Sequence, residues 1–494
     1  MATNIAPQRY ILLPPRGITT ASVVGNSHVG DFMRSLSVPG LAPAGASSSK
    51  MRVIDSAHEN GIKLVEMTPQ GIAELRLEAP GVRIVPELFY NTARAPIPFL
   101  STRTKTQAGA TPAAVILKFV SGADGGPVAG ATVVAFTDYV AREGAAGTTR
   151  ANGTVQLDIG ASARIERLYV YPRDGCWPAI RKNQQMPLSK PISLRPIDLA
   201  QPDILQFFRA NAPGASGEGV TVGIIDTGCG PHPDLVVAGG RNTVVGQDAA
   251  DYADNGDMHG THVAGIVAAR GVMPSGMSGL APQVALRAYR VFAKGKSASN
   301  YSIAKAIDSA VADGCDLINM SLGGRGPADP ATSSAIADAR AAGVVVFIAS
   351  GNDGLNEVSQ PAADPRAVAV GCFGRKGAFP SDSISASNVG KPIGKPDKLN
   401  FVASFSNYGV QVDMAGPGVA VVSTVSTGNW AVMDGTSMAC PAVTGAVARL
   451  LSANAAVRGM ARDQQRSDAI LTMARTAAHS LGFGPQYEGN GWIK

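Results

Sequence analysis

The spacing of apolar positions changes twice along the chain. From residue 8 to about 100, short apolar runs alternate with polar turns: YILL at 10–13, GIKLVEM at 61–67 and VRIVPELFY at 82–90. The Gly-, Ala- and Ser-rich stretch GLAPAGASSS interrupts them at 40–49. Runs of this length, bounded by turn residues, predict a small α+β unit over 1–105. From 112 to about 180 the runs AAVILKFV, ATVVAFT, GTVQLDI and ERLYVYP are made of strand formers. The segments between them, SGADGGPVAG and EGAAGTTRANG, carry Gly and Asn-Gly turn signals. Short strands so separated predict a small β-sandwich over 106–195. PISLRPIDLAQP at 191–202 then reads as a linker.

From 200 to 494 the period changes again. VTVGIID (220–226) is a continuous apolar run, as in a strand buried on both faces. SIAKAIDSAVADG (302–314) carries Ile303, Ile307 and Val311 on one helical stripe and stops at Gly314. CDLINMSLGG reads as a strand, PATSSAIADARAAG as a helix and VVVFIASGN as a strand. This alternation predicts an α/β unit, a parallel sheet with helices on both faces. Ligand sites in such sheets lie beyond the carboxyl ends of the strands.

The 494 residues allow several domains, and 45% hydrophobic with 16% charged residues suffices for a sizeable core. A net charge of +6 over this length, with no basic cluster, gives no reason to expect nucleic acid as a partner. Near the N-terminus the apolar run Ile11–Leu13 is stopped by Pro14 and Pro15, unlike a secretory leader. No stretch approaches the ~18 apolar residues of a membrane span. The expectation is therefore a cytoplasmic protein, or one exported by a non-standard route. The five cysteines lack any CxxC pair, so buried reduced thiols are expected in place of a disulfide framework or zinc knuckle.

Three residues carry candidate chemistry, each at the end of an expected element. Asp226 closes the strand VTVGIID, His259 opens HGTHVAGIVAA, and Ser437 stands at the start of an apolar helix in DGTSMACPAVTGAVARLL. A serine there can hold its hydroxyl clear of the fold, with the field of a helix N-terminus beside it. Serine is a poor nucleophile until a base takes its proton, and the base needs a buried carboxylate to fix its tautomer. His259 and His262 lie three apart, but zinc enzymes of the HExxH type space their histidines by four with a Glu between them. Neither a metal nor a cofactor is expected, and His262 reads as a satisfied structural histidine.

DTG (226–228), HGTHVAG (259–265) and GTSMACP (435–441) resemble the three active-site blocks of the subtilisin-like serine proteases. HPDL, GLAP, INMSLGG, ASGND, FSNYG and AGPGV occur between them in that family's order, and YEGNGWI lies near its usual end. The resemblance covers about 200–494. It implies a serine endopeptidase of broad or mildly hydrophobic specificity acting on polypeptides, with Asp226 orienting His259, His259 as base then acid, and Ser437 as nucleophile. It also implies an oxyanion donor in Asn352 and a substrate wall of Ser321, Leu322, Gly323, Gly324 and Gly351, with Asp353 at its rim and Tyr301 bordering a more distant pocket. On the same fold, a peptide ligase or a silent binding module are the competing readings. The loop RGVMPSGMS (270–278) lacks the oxygen ligands of the family's strongest calcium site. SDSISASNVGKPIGKPDKLN (381–400) reads as a polar inserted loop.

GGPVAGATVVAF followed by TTRANGTVQL resembles a carboxypeptidase-regulatory-like sandwich, and residues 61–90 resemble the end of the family's inhibitory prodomain. The second resemblance implies that the N-terminal region is an intramolecular inhibitor of the protease. Its expected cut sites are NTARAPIPFLSTRTKTQAG (91–109) and the linker SKPISLRPIDLAQP (189–202).

Overall fold

The computed structural model describes residues 6–14, 28–36, 51–103, 114–159, 164–201, 203–209 and 216–493. The stretch GLAPAGASSS and the part of the first expected cut region beyond 103 lie outside these residues. The N-terminal unit is a four-stranded antiparallel sheet, in the order Met51–Ser56, Lys63–Met67, Gln8–Leu13, Arg83–Pro86. Successive strand residues face opposite sides. Leu12, Val53, Val65 and Met67 pack with Phe32, Met33 and Leu75 from the helices His28–Ser35 and Pro69–Glu78. Ile11, Leu13, Leu64 and Val85 join a second cluster with Tyr301, Ala304 and Ile307 of the later helix Asn300–Ala312. The unit is thus covered on its second face by the α/β unit. Lys305 Nζ donates to Asp55 Oδ2 (2.7 Å) and Arg83 to Ser334 Oγ (3.0 Å) across this contact.

The sandwich follows. One sheet has the order Thr154–Leu157, Val115–Ser121, Ile192–Leu194, and the other Ala179–Gln185, Arg164–Tyr171, Thr132–Asp138, Glu143–Thr148, Thr102–Arg103. Leu117, Phe119, Val133, Ala135, Leu168 and Val170 fill the space between. Two expectations are corrected here. EGAAGT (143–148), read from sequence as a turn, is a strand of small residues that lets its partner come close. A Cβ added at Gly144 would lie 1.9 Å from the Ala135 carbonyl oxygen. The supposed linker contributes the strand Ile192–Leu194, pinned by its parallel pairing with Val115–Ser121 and by the buried Leu194. A cut after 189 would remove a strand of the sandwich.

In the α/β unit the strands Val237–Asn242, Ala285–Arg290, Thr221–Asp226, Leu317–Met320, Val345–Ala349 and Val368–Arg375 run in parallel. Val412–Pro417 pairs parallel to the last of these and Asn400–Val402 antiparallel. Val222 and Ile224 face one cluster with the helices His259–Ala268 and Thr436–Ala453. Ile225 faces the other, with Asn300–Ala312 and Pro330–Ala341. All five cysteines are free and buried. No helix of the described residues is long and apolar enough to cross a membrane.

Two buried polar features tie the sheet to its surroundings. Asp316 accepts from the Thr221 N–H (2.8 Å), Arg462 (2.8 Å) and the fully buried Arg466 (2.7 Å). Asp316→Ala would leave Arg466 as an uncompensated buried cation, a loss of about 3–5 kcal/mol by the usual cost of breaking such a pair. A urea midpoint close to wild type would contradict this. His262 Nε2–H is shared between the carbonyls of Val421 (3.2 Å) and Ala431 (3.1 Å) and docks the helix His259–Ala268 on the hairpin 421–433. Burial, followed by the nearness of His259, pushes the pKa of His262 down to about 3 from 6.5. The unfolded chain therefore binds the extra proton between those values and the folded chain does not, so this group costs stability as pH falls from 6.5 toward 3. Asp203 and Asp434, raised to about 6 by burial, act in the opposite sense at mildly acid pH. The test is thus a comparison. His262→Gln should be less stable than wild type at pH 7 yet lose less between pH ~7 and ~4.5 in urea titrations.

Candidate active site

Asp226 is the last residue of a central strand, and the sheet's geometry carries its carboxylate to the carboxyl-end rim. Oδ1 accepts from the Thr227 N–H (2.7 Å) and from His259 Nδ1–H (2.8 Å); both side chains are inaccessible to solvent. His259 opens its helix directly after Met258, whose φ of 71° turns the chain sharply into it. The pairing leaves Nε2 as the lone-pair nitrogen, buried and without a protein partner.

Ser437 is the second residue of the helix Thr436–Ala453 and is fully buried. Its Oγ donates to the carbonyl of Ser321 (3.0 Å), while Ser321 Oγ donates to the Ser437 carbonyl (2.8 Å). The expectation of a hydroxyl standing clear of the fold is corrected: a strand from the N-terminal region covers it. Asn352 Oδ1 accepts from the Thr436 N–H (2.8 Å), which fixes the side chain and leaves Nδ2 buried without a partner.

The covering strand is Phe89–Thr92. It pairs antiparallel with Ala298–Ser299 on one side and Leu322–Gly323 on the other. Ala93 then donates its N–H to Ser321 O (3.1 Å) and accepts at its carbonyl from the Ser437 N–H (3.1 Å). The next residues continue the track: Ala95 N–H donates to Asp434 O (2.8 Å), and Arg94 pairs with Asp257. Gly435 has no room for a side chain, because a Cβ there would lie 2.7 Å from the Ala93 carbonyl oxygen. The Ala93–Arg94 peptide bond thus lies against Ser437, inside the first of the two cut regions expected from sequence.

The residues named from sequence fall as follows. Ser321, Leu322 and Gly323 touch the covering strand through backbone. Gly324 pairs with Gln360 and faces the Tyr90 ring, with 3.5 Å between that ring and a Cβ built on the glycine. Gly351 stands against Ser359 and Asn407, where a Cβ would come within 2.2 Å and 2.4 Å. Asp353 accepts from Asn407 (3.2 Å). Tyr301 is fully buried in the apolar cluster that also holds Tyr90. Sequence reasoning missed Asp329, whose Oδ2 accepts from Tyr90 Oη (3.0 Å). Its position before Pro330 marks it as an N-cap, and only the fold reveals the second role. Sequence also missed Asp434, held by Ser385 (3.0 Å), Asn388 (2.8 Å) and the Ala420 N–H. The inserted loop at 381–400 is thus the clamp on the segment before Ser437. The loop 270–278 is organised by a carboxylate: Asp234 Oδ2 accepts from the Met277 N–H (3.0 Å) and Trp430 Nε1–H (3.1 Å).

Comparison with known proteins gives the same direction. Residues 217–485 match the subtilase family, more than half of the chain. Subtilisin Savinase of Lederbergia lenta is 37% identical over 241 residues, covering 49% of this chain and 79% of that protein. Subtilisin DY of Bacillus licheniformis is 38% identical over 254 residues, covering 50% and 82%. The alkaline protease of Alkalihalobacillus alcalophilus is 37% identical, and the match spans 56% of its length. With its matched α/β unit and relatives of this closeness, the chain belongs to the subtilase family and is a serine-type endopeptidase.

Proposed function

We propose that Asp226, His259 and Ser437 are the catalytic triad of this endopeptidase, and that its first substrate is its own Ala93–Arg94 bond. The observation that carries this reading is the pair of backbone hydrogen bonds that hold Ala93, one to Ser321 and one from Ser437. They fix a carbonyl carbon beside Ser437, and His259 keeps a free ring nitrogen. Ser437 Oγ–H, now directed to Ser321 O, turns to His259 Nε2 and gives up its proton as Oγ attacks the Ala93 carbonyl. The buried Asp226 carboxylate steadies the imidazolium that forms. Negative charge on the former carbonyl oxygen is met by the Ser437 N–H and by the unpartnered Nδ2–H of Asn352. His259 then returns the proton to the departing Arg94 amine, and water hydrolyses the acyl group.

The same contacts support the N-terminal region as an intramolecular inhibitor. Its sheet is packed on the helix Asn300–Ala312, so Phe89–Ala93 is presented to the cleft at high local concentration. After the cut, the new carboxylate end still lies between two paired strands. The three units, 1–105, 106–195 and 200–494, are read accordingly as inhibitor, sandwich and protease, with 89–95 lodged in the protease cleft.

Two outcomes are expected. Wild-type protein shortens on standing to a form whose first residue is Arg94, measured by intact mass and N-terminal sequencing, while Ser437→Ala stays whole. Processing elsewhere, or at the same site in the Ser437→Ala protein, would sink the assignment. Asn352→Leu lowers kcat by roughly 10²–10³ with little change in KM, the size of loss seen when subtilisin is deprived of such a donor. Unchanged turnover would mean that another group meets the oxyanion.

A further inference from the structure

The segment that crosses the cleft continues past Ser437 onto a face built by the sandwich. After Ala95, the Ser101 N–H donates to Arg142 O (3.0 Å), and Thr102–Arg103 add a parallel strand to the sandwich edge Glu143–Thr148. Leu100 packs on the cluster of Phe136, Tyr169 and Ile384, which draws on both units. Beside this path lies a cavity of about 640 Å³. Tyr139, Arg167 and Tyr171 of the sandwich line one side of it. Met258, next to His259, and Asp434, three residues before Ser437, line the other.

The sandwich wall is held in place against the catalytic side. Gly175 N–H donates to Trp430 O (2.8 Å), Ile180 N–H to Asp382 O (3.0 Å) and Ile384 N–H to Pro178 O (3.1 Å), and Arg181 pairs with Asp382 (2.9 Å). The resident segment next to the bond is held less firmly. Apart from the Ala95 hydrogen bond, its ties include the half-exposed Arg94–Asp257 pair, and exposed pairs contribute little. The Arg167 guanidinium lies 3.7 Å over the Tyr139 ring and, among the described residues, pairs with no carboxylate. Residues 94–103 bring no acidic side chain to it. The sandwich also lies outside the part of the chain that matches the subtilase family.

We propose that the sandwich is the downstream half of the substrate site. A polypeptide substrate takes the path of residues 94–100 once these are displaced, and an acidic side chain a few residues after the cut pairs with Arg167. This rests on the reading of Ala93–Arg94 as the bond at the nucleophile.

The test uses the self-processed protein after residues 1–93 have been separated from it, and quenched fluorescent peptides that all carry Tyr-Asn-Thr-Ala before the bond. A short peptide ends with Arg-Ala, and two long ones add four residues that include either Glu or Lys. The kcat/KM of the long Glu peptide should exceed that of the short one by about tenfold, the scale of a contact with a buried aromatic-lined pocket. The Lys peptide should gain less. In Arg167→Ala and Arg167→Gln, the Glu-to-Lys ratio should fall toward one. Ratios measured on one enzyme sample are unaffected by partial loss of folded protein. If the short peptide is not cut between Ala and Arg, the reading of the cleft falls and takes this proposal with it. If it is cut there but the long peptides are no faster, or the Glu preference survives in both variants, only the proposal for the sandwich is overturned.

Discussion

Buried backbone groups must find partners, and one strand supplies them for the whole cleft. Ala298–Ser299 and Leu322–Gly323 are short, separate edges that do not pair with each other. Phe89–Thr92 lies between and joins them into a small sheet. Leaving such edges buried and unpaired would cost a hydrogen bond's worth of desolvation at each group. The same requirement explains why the cleft accepts a polypeptide in extended form and why the N-terminal unit stays docked. It also fixes register, because pairing by backbone determines which carbonyl reaches Ser437.

Around this strand Ser321 and Ser437 are held by a buried polar scaffold. Asn319 Nδ2 donates to Ser321 Oγ (3.0 Å), and Thr444 Oγ donates to Asn319 Oδ1 (3.1 Å), so the strand Leu317–Met320 and the serine-bearing helix are tied at two levels. Each member is fully buried. Such networks rigidify a site only when complete, since a half-satisfied one costs more than an apolar core. The groups left open beside it, His259 Nε2 and Asn352 Nδ2, stand where the proposed reaction moves a proton and develops charge.

The inserted loop and the sandwich form a second scaffold with a different purpose. Residues 380–388 hold Asp434 on one side and the sandwich on the other. This couples a segment three residues from Ser437 to a unit that precedes the protease in sequence. A polar loop that looks like a surface insertion therefore ties the sandwich to the segment before Ser437.

Much was legible in the sequence. VTVGIID reads as a strand buried on both faces, because Thr221 alone interrupts its apolar run before Asp226. The motifs around Asp226, His259 and Ser437 mark element ends, where side chains escape the packing of the sheet. From sequence the segment 91–109 is expected to be exposed, whereas Ala93 is buried and hydrogen-bonded to Ser321 and Ser437. Other features depended on partners far away in the chain. EGAAGT is a strand only because Thr132–Asp138 comes close enough to exclude side chains, and ISL is a strand only because Val115–Ser121 has an open edge. Asp329 reads as a helix cap, yet the fold also sets it beneath Tyr90. Above all, which bond meets Ser437 was settled by register across two edges separated by more than two hundred residues from the strand they hold. Local pattern determines which segments form elements and which face they bury. Pairing between distant edges is a long-range property of backbone hydrogen bonding, and only the tertiary structure decides it.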